Sequence, residues 1–168
     1  MKQSLSQSAQ QLLEIAKRYP EAILIISSTG KFALELKEIS KKELLNIKVT
    51  NWVDHKNLSS FLSIADAFIV TLDNDASTFS VPSKIYTYLN IGRPILGSMP
   101  LNNLASKKIL NMKVGYISKP DNNQNFLNHC DMLIKNKKLK KSFSKNYKNH
   151  LKTRKKSLRE MISLVDKI

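Results

Sequence analysis

Four short polar stretches of this 168-residue chain hold the residues best suited to meet an anion: Ser27 to Lys31, Asn51 to Asn57, Asp73 to Lys84 and Gly97 to Asn103. The third is the most informative. In Phe79-Ser80-Val81-Pro82-Ser83-Lys84, Ser80 suits the capping position of a helix, Pro82 suits its first turn because the missing N–H has no intrahelical partner, and Lys84 adds a cation. A helix start that combines serine hydroxyls, backbone amides and a lysine is chemistry for a diphosphate. An ordinarily capped helix explains the same residues equally well.

Other groupings are weaker. Asp73-Asn74-Asp75 follows an apolar run and imitates an Asp-x-Asp metal clamp, but Asp and Asn are also favoured turn residues. His129-Cys130-Asp131 offers metal-ligating types, yet consecutive helical residues point in different directions. His55 reads as an exposed loop residue. No Ser/His/Asp arrangement has usable spacing, so no catalytic residue, metal ligand or cofactor is assigned.

The elements that would position these loops follow from the apolar pattern. Ser4 to Tyr19 reads as a helix stopped by Pro20, and Ala22-Ile-Leu-Ile-Ile26 as a strand buried on both faces. Helices are expected over Lys31 to Leu45, Lys56 to Ile64, Val81 to Ile91 and Leu104 to Leu110. Strands are expected at Ile47 to Thr50, Ala67 to Leu72, Ile95-Leu96 and Val114 to Ile117, with broken helix from Asn125 to Ile168. Short strands alternating with helices predict a doubly wound parallel α/β sheet in a single domain over residues 1–168. Ligands of such sheets sit outside the carboxyl ends of the strands, where the four polar stretches fall. A domain of this class ordinarily opens with a strand, and here the first element is a helix.

Composition bounds the setting. Cys130 is the single cysteine, no apolar run approaches the ~20 residues of a membrane span, and the amino terminus lacks a signal-peptide pattern, so the expected location is cytoplasmic. The net charge is +15, and residues 135–168 hold 13 lysines and arginines against 2 acids. Within that basic segment Leu139, Phe143, Tyr147 and Leu151 recur every four residues. Such an amphipathic basic helix suits the anionic inner face of a membrane, and the same stripe suits a protein core. Aromatic residues are not interleaved with the lysines as in a single-strand-binding groove, so nucleic acid is not an expected partner.

Three pieces in order carry a resemblance. Trp52-Val53-Asp54-His55-Lys56-Asn57-Leu58, then Phe61-Leu62-Ser63-Ile64-Ala65-Asp66-Ala67, then Phe79 through Leu96 resemble the C-terminal, donor-binding domain of family 4 glycosyltransferases. The likeness is nearest to bacterial surface-polysaccharide enzymes of the fucosamine transferase type. It implies one Rossmann-like half of a GT-B fold and covers nearly the whole chain. Lys2-Gln3-Ser4-Leu5 resembles the opening of that domain's first helix, which implies that the first strand, its phosphate-contacting loop and the acceptor-binding domain lie outside this sequence.

The resemblance also implies roles. Ser80, Val81, Pro82, Ser83 and Lys84 would meet the diphosphate of a UDP-sugar without a metal, Ser28-Thr29-Gly30 would lie near the nucleoside, and Trp52-Val53 would flank the base. A tryptophan beside a strand is, on physical grounds alone, more simply a core residue. Many relatives carry two glutamates eight positions apart where this chain has Phe79 and Thr87. Phe79 cannot contact the sugar as a glutamate does, whereas Thr87 retains one hydrogen bond for a ribose oxygen. The expected partners are thus a nucleotide sugar and an acceptor domain, and the isolated chain is expected to be inactive. The competing reading is a non-catalytic basic module for anionic membrane or nucleic acid.

Overall fold

The computed structural model describes residues 6–75 and 81–165. Helix α1 (Gln7–Arg18) starts where the Ser6 hydroxyl accepts the Ala9 amide at 3.2 Å, and it ends at Tyr19, ahead of Pro20. There follow β1 (Leu24–Ser27), α2 (Lys31–Lys42), β2 (Ile47–Thr50), α3 (His55–Ser63), β3 (Phe68–Thr71), α4 (Lys84–Ile91), β4 (Ile95–Ser98), α5 (Leu104–Asn111) and β5 (Gly115–Ser118). Helices α6 (Asn123–Lys135) and α7 (Lys137–Val165) close the chain. All strand pairings are parallel, as crossover helices between successive strands require. This is the Rossmann-like α/β arrangement that the alternating pattern predicts.

The sheet comes in two parts. β1 pairs with β2, Leu24 opposite Ile47, while β3, β4 and β5 form a second sheet with Phe68 opposite Ile95 and Ile95 opposite Gly115. Ala9, Leu13 and Ala16 of α1 join Leu36 of α2 in covering one face of β1 and β2. Ile15 of α1 and Tyr19, which caps its end, pack instead with Leu96, Phe126 and Leu127, so one helix reaches both sheets. The opposite face of the three-stranded sheet is covered by Ile85 and Leu89 of α4 and Ile109 of α5.

Backbone direction shows which edges remain open. The amides of Leu24 and Ser28 donate to Asn46 and Thr50 carbonyls at 2.9 and 3.0 Å, so strand alternation turns the groups of Ile25 and Ser27 away from β2. The amides of Phe68 and Leu72 donate to Pro94 and Ser98 at 2.9 and 2.8 Å, which turns those of Ile69 and Thr71 away from β4. β1 and β3 therefore each carry one edge that pairs with no strand among the described residues.

Several boundaries differ from the expected ones. Helix α4 begins at Lys84, with Ser83 as its cap, instead of at Val81. Pro82 is the cause, since its ring pushes the preceding residue towards extended backbone. Helix α2 stops at Lys42 because Leu44 takes a positive φ of 52° and turns the chain. The capping expected of Ser80 falls outside the described residues. In the basic segment, Phe143 and Tyr147 are buried and Leu139 and Leu151 pack beside them, so the apolar stripe is core and is not available for insertion into a bilayer. No helix among the described residues is long and apolar enough to cross a membrane.

Candidate functional site

The carboxyl ends of the parallel strands gather the sequence-predicted residues into two groups. After β1, the Ser28 hydroxyl accepts the Gly30 amide at 3.3 Å, and Gly30 caps α2. After β2, Trp52 stands 71% exposed and its indole N–H donates to the Thr29 hydroxyl at 3.0 Å. The expectation of a core tryptophan is corrected: β2 ends at Thr50, and Trp52 lies in the loop beyond it, held by a hydrogen bond from one side. Val53 beside it is half-buried, and Asp54 caps α3 by accepting the Lys56 amide. Ser28, Thr29, Gly30, Trp52 and Val53 thus form one contiguous rim.

The second group follows β3. Val81 and Pro82 are half-buried and lead into α4, where the amides of Ile85 and Tyr86 close the first turn onto the Pro82 and Ser83 carbonyls at 3.0 and 3.2 Å. Ser83 and Lys84 are exposed, and the Ser83 hydroxyl is not used as a cap. Ser83 and Lys84 therefore both stand at the start of α4, the positive end of its dipole. Thr87 lies one turn further along the same helix face and is half-buried. Ser80 and Phe79 are outside the described residues. The first group follows β1 and β2 and the second follows β3, so each includes a loop after a strand with an open edge.

The loop after β4 is rigid for reasons visible in its residues. Asn103 is fully buried and its side-chain oxygen accepts the Ala105 amide at 2.8 Å, while the Ser106 hydroxyl donates to the Pro100 carbonyl at 2.8 Å. The loop after β5, absent from the four stretches picked out of the sequence, also reaches this edge with Lys119 and Asp121 exposed. Its signal was the strand-like run Val114 to Ile117 followed by Pro120. Beneath it, His129 Nδ1 lies 2.9 Å from the Ser118 hydroxyl and its ring stacks on Tyr116 at 4.6 Å. Burial lowers the His129 pKa.

The other chemistry-bearing triplet is spent on structure. Cys130 is buried and its thiol is pushed up to about 12, chiefly by desolvation. Asp131 is held low by its hydrogen bonds with Tyr19 and Lys135, and it pairs with Arg18 at 2.7 Å. With His129 on Ser118, the three side chains reach three different neighbours. Asp73 and Asp75 are exposed in the loop after β3.

Alternating helices and parallel strands, with a serine and a lysine exposed at a helix start on the carboxyl edge, define a Rossmann-like α/β domain. The family can be stated more closely: residues 4–150 match the family of glycosyl transferases group 1, and the chain belongs to it. No curated protein and no solved structure matches the chain.

Proposed function

We propose that this chain is the donor-binding half of a glycosyltransferase and holds a nucleotide sugar, in the first instance a UDP-sugar, across its carboxyl edge. The observation that carries the reading is the start of α4, where Ser83 and Lys84 stand exposed at the positive end of a helix on the ligand-binding edge of a group 1 glycosyltransferase domain. In this assignment Val81, Pro82, Ser83 and Lys84, with Ser80, cradle the diphosphate. Thr87 gives one hydrogen bond to a ribose oxygen. Ser28, Thr29 and Gly30 lie along the nucleoside, and Trp52 and Val53 flank the base. The exposed indole offers a flat face for stacking, which a core tryptophan would not.

Catalysis would then rest on positioning the donor and stabilising charge on the departing diphosphate, with no metal or cofactor and any general base supplied by an acceptor domain. The enzyme we have in view acts in bacterial surface-polysaccharide synthesis, of the fucosamine transferase type, at the cytoplasmic face of the membrane. The open edges support a partner polypeptide. α1 and α2 cover the same face, and the step from β1 through α2 to β2 moves in one direction across the sheet. By the right-handed crossover rule, a strand that fed α1 would lie on the side of β1 away from β2.

An NMR titration of the chain with UDP, UDP-N-acetylhexosamines and GDP tests the reading. Uridine nucleotides should selectively shift amides at Ser83, Lys84, Thr29 and Trp52, and Lys84→Ala should weaken binding about tenfold, the size of one charge-assisted contact. Absence of shifts at millimolar nucleotide, or equal shifts with all of them, would remove UDP-sugar as the ligand.

A further inference from the structure

The end of the sheet away from the carboxyl edge holds a cleft that donor binding does not use. Asp66 stands two residues before β3, and Arg93 and Pro94 stand immediately before β4. The first turns of α7 face them, and together they enclose a cleft of 370 Å³. Five cations line it, Arg93, Lys140, Lys141, Lys145 and Lys148, against one carboxylate, Asp66. With strands of four residues, about 13 Å of sheet separates this cleft from the start of α4.

The helix that carries the lysines is held in place by specific contacts. Phe143 meets Tyr116 edge-on at 5.2 Å, and the Tyr147 hydroxyl lies 2.9 Å from Asn90, which fixes the inner face of α7. The Ser144 hydroxyl donates to the Gly92 carbonyl at 2.7 Å and ties the helix to the turn that carries Arg93. Arg93 donates one guanidinium N–H to the Ser63 carbonyl at 3.1 Å. Lys140 pairs with Asp66 at 3.3 Å. Lys141, Lys145 and Lys148 have no acidic partner among the described residues.

Spacings of three and four residues put these lysines next to one another on one helix face, where like charges repel. The fold therefore concentrates positive charge in a concave place without neutralising it. A ligand that suits the excess must be compact and carry more than one negative charge. Phosphate and diphosphate groups do so, and their oxygens accept from ammonium groups and from the free side of a guanidinium. A lone carboxylate would leave most of the charge unmet.

We propose that this cleft binds a phosphate-bearing group, carried by a soluble phosphate ester or by an anionic lipid headgroup, at a site separate from the nucleotide edge. The proposal stands whether or not the donor reading holds. The test is an amide NMR titration of the whole chain with inorganic pyrophosphate, repeated with Lys141→Glu/Lys145→Glu and with Lys152→Glu/Lys155→Glu. The second pair is exposed on the same helix outside the cleft and changes net charge equally. Pyrophosphate should shift Arg93, Lys141 and Lys145, the cleft variant should lose about tenfold in affinity, and the control should stay near the parent.

Sedimentation with phosphatidylglycerol and phosphatidylcholine vesicles then separates the sources. Capture by the anionic vesicles that pyrophosphate reverses assigns a headgroup, and pyrophosphate binding without capture assigns a soluble ester. Equal losses in both variants, no shift at millimolar pyrophosphate, or vesicle capture without a pyrophosphate response would each reduce the cleft to diffuse surface charge and overturn the proposal.

Discussion

The two parts of the sheet differ in how they are covered. In β3 to β5 both faces are packed, by α1 and α6 on one side and by α4 and α5 on the other, and every residue of β4 is buried. In β1 and β2 one face packs on α1 and α2, while Ile25 stands 46% exposed and Ile23, just before the strand, 58%. Yet Ala22 to Ile26 is as apolar as Ala67 to Leu72. Apolar runs of this kind are the mark of strands buried on both faces. β1 therefore has the sequence of a central strand and, among the described residues, the surroundings of an edge.

The largest expected effect sets a glycine from each part against the other. A methyl group on Gly115 in β5 would run into the Ile95 carbonyl oxygen of the neighbouring strand, which backbone pairing prevents from moving aside. Gly30, at the open rim, has an ordinary negative φ, and the nearest atom to an added Cβ is the Ser28 hydroxyl at 3.7 Å. Gly115→Ala should cost ~3 kcal/mol of stability or more, against about 1 kcal/mol for Gly30→Ala, which only replaces a good helix cap by a poor one. Urea unfolding measures both, and equal losses would break the contrast between a covered and an open half.

A smaller effect concerns the open edges themselves. Backbone amides of Ile25, Ser27, Ile69 and Thr71 should exchange with solvent at least about tenfold faster than those of Leu24, Ile26, Phe68 and Val70, which point into paired strands. Fusing a short β-branched strand ahead of the first helix should slow the first set and raise the melting temperature, and a glycine-serine extension of equal length should not. Equal protection of both sets in the unfused chain would mean that the edges are already closed.

Much of this was legible in the sequence, and the misses share a cause. Strand positions were readable because β-branched runs bounded by Ser, Gly and Pro have few other uses, as at Ile47 to Thr50 and Ile95-Leu96. The start of α4 falls later than the pattern implies because Pro82 also pushes Val81 out of helical backbone. Tyr147 and Leu151 could belong to a membrane face or a core, since periodicity gives the stripe and not its partner. Trp52 is exposed for a related reason: burial depends on where a strand stops, and Thr50 ends β2. Ser83 and Lys84 stand out as residue types suited to an anion, whereas the split of the sheet depends on pairing between distant segments, which local pattern does not encode.

The smallest effect sharpens the comparison through pH. His129 sits under the covered half, stacked on Tyr116 and bonded to Ser118 of β5, and its burial lowers its pKa from the ordinary value. Below about pH 6.5 the unfolded chain then takes up a proton that the folded chain refuses, so stability present at neutral pH is lost as the pH falls towards the folded value. Between pH 7 and pH 5 the amides of Ile117 and Ser118 should lose protection, while those of Ile26 and Val49, in the other part of the sheet, change less. Substitution of His129→Gln keeps a polar group for Ser118 and removes the titration, so it should flatten the pH dependence of β5. An unchanged slope in that variant would assign the acid sensitivity to carboxylates such as Asp131, whose lowered pKa acts in the same direction at lower pH.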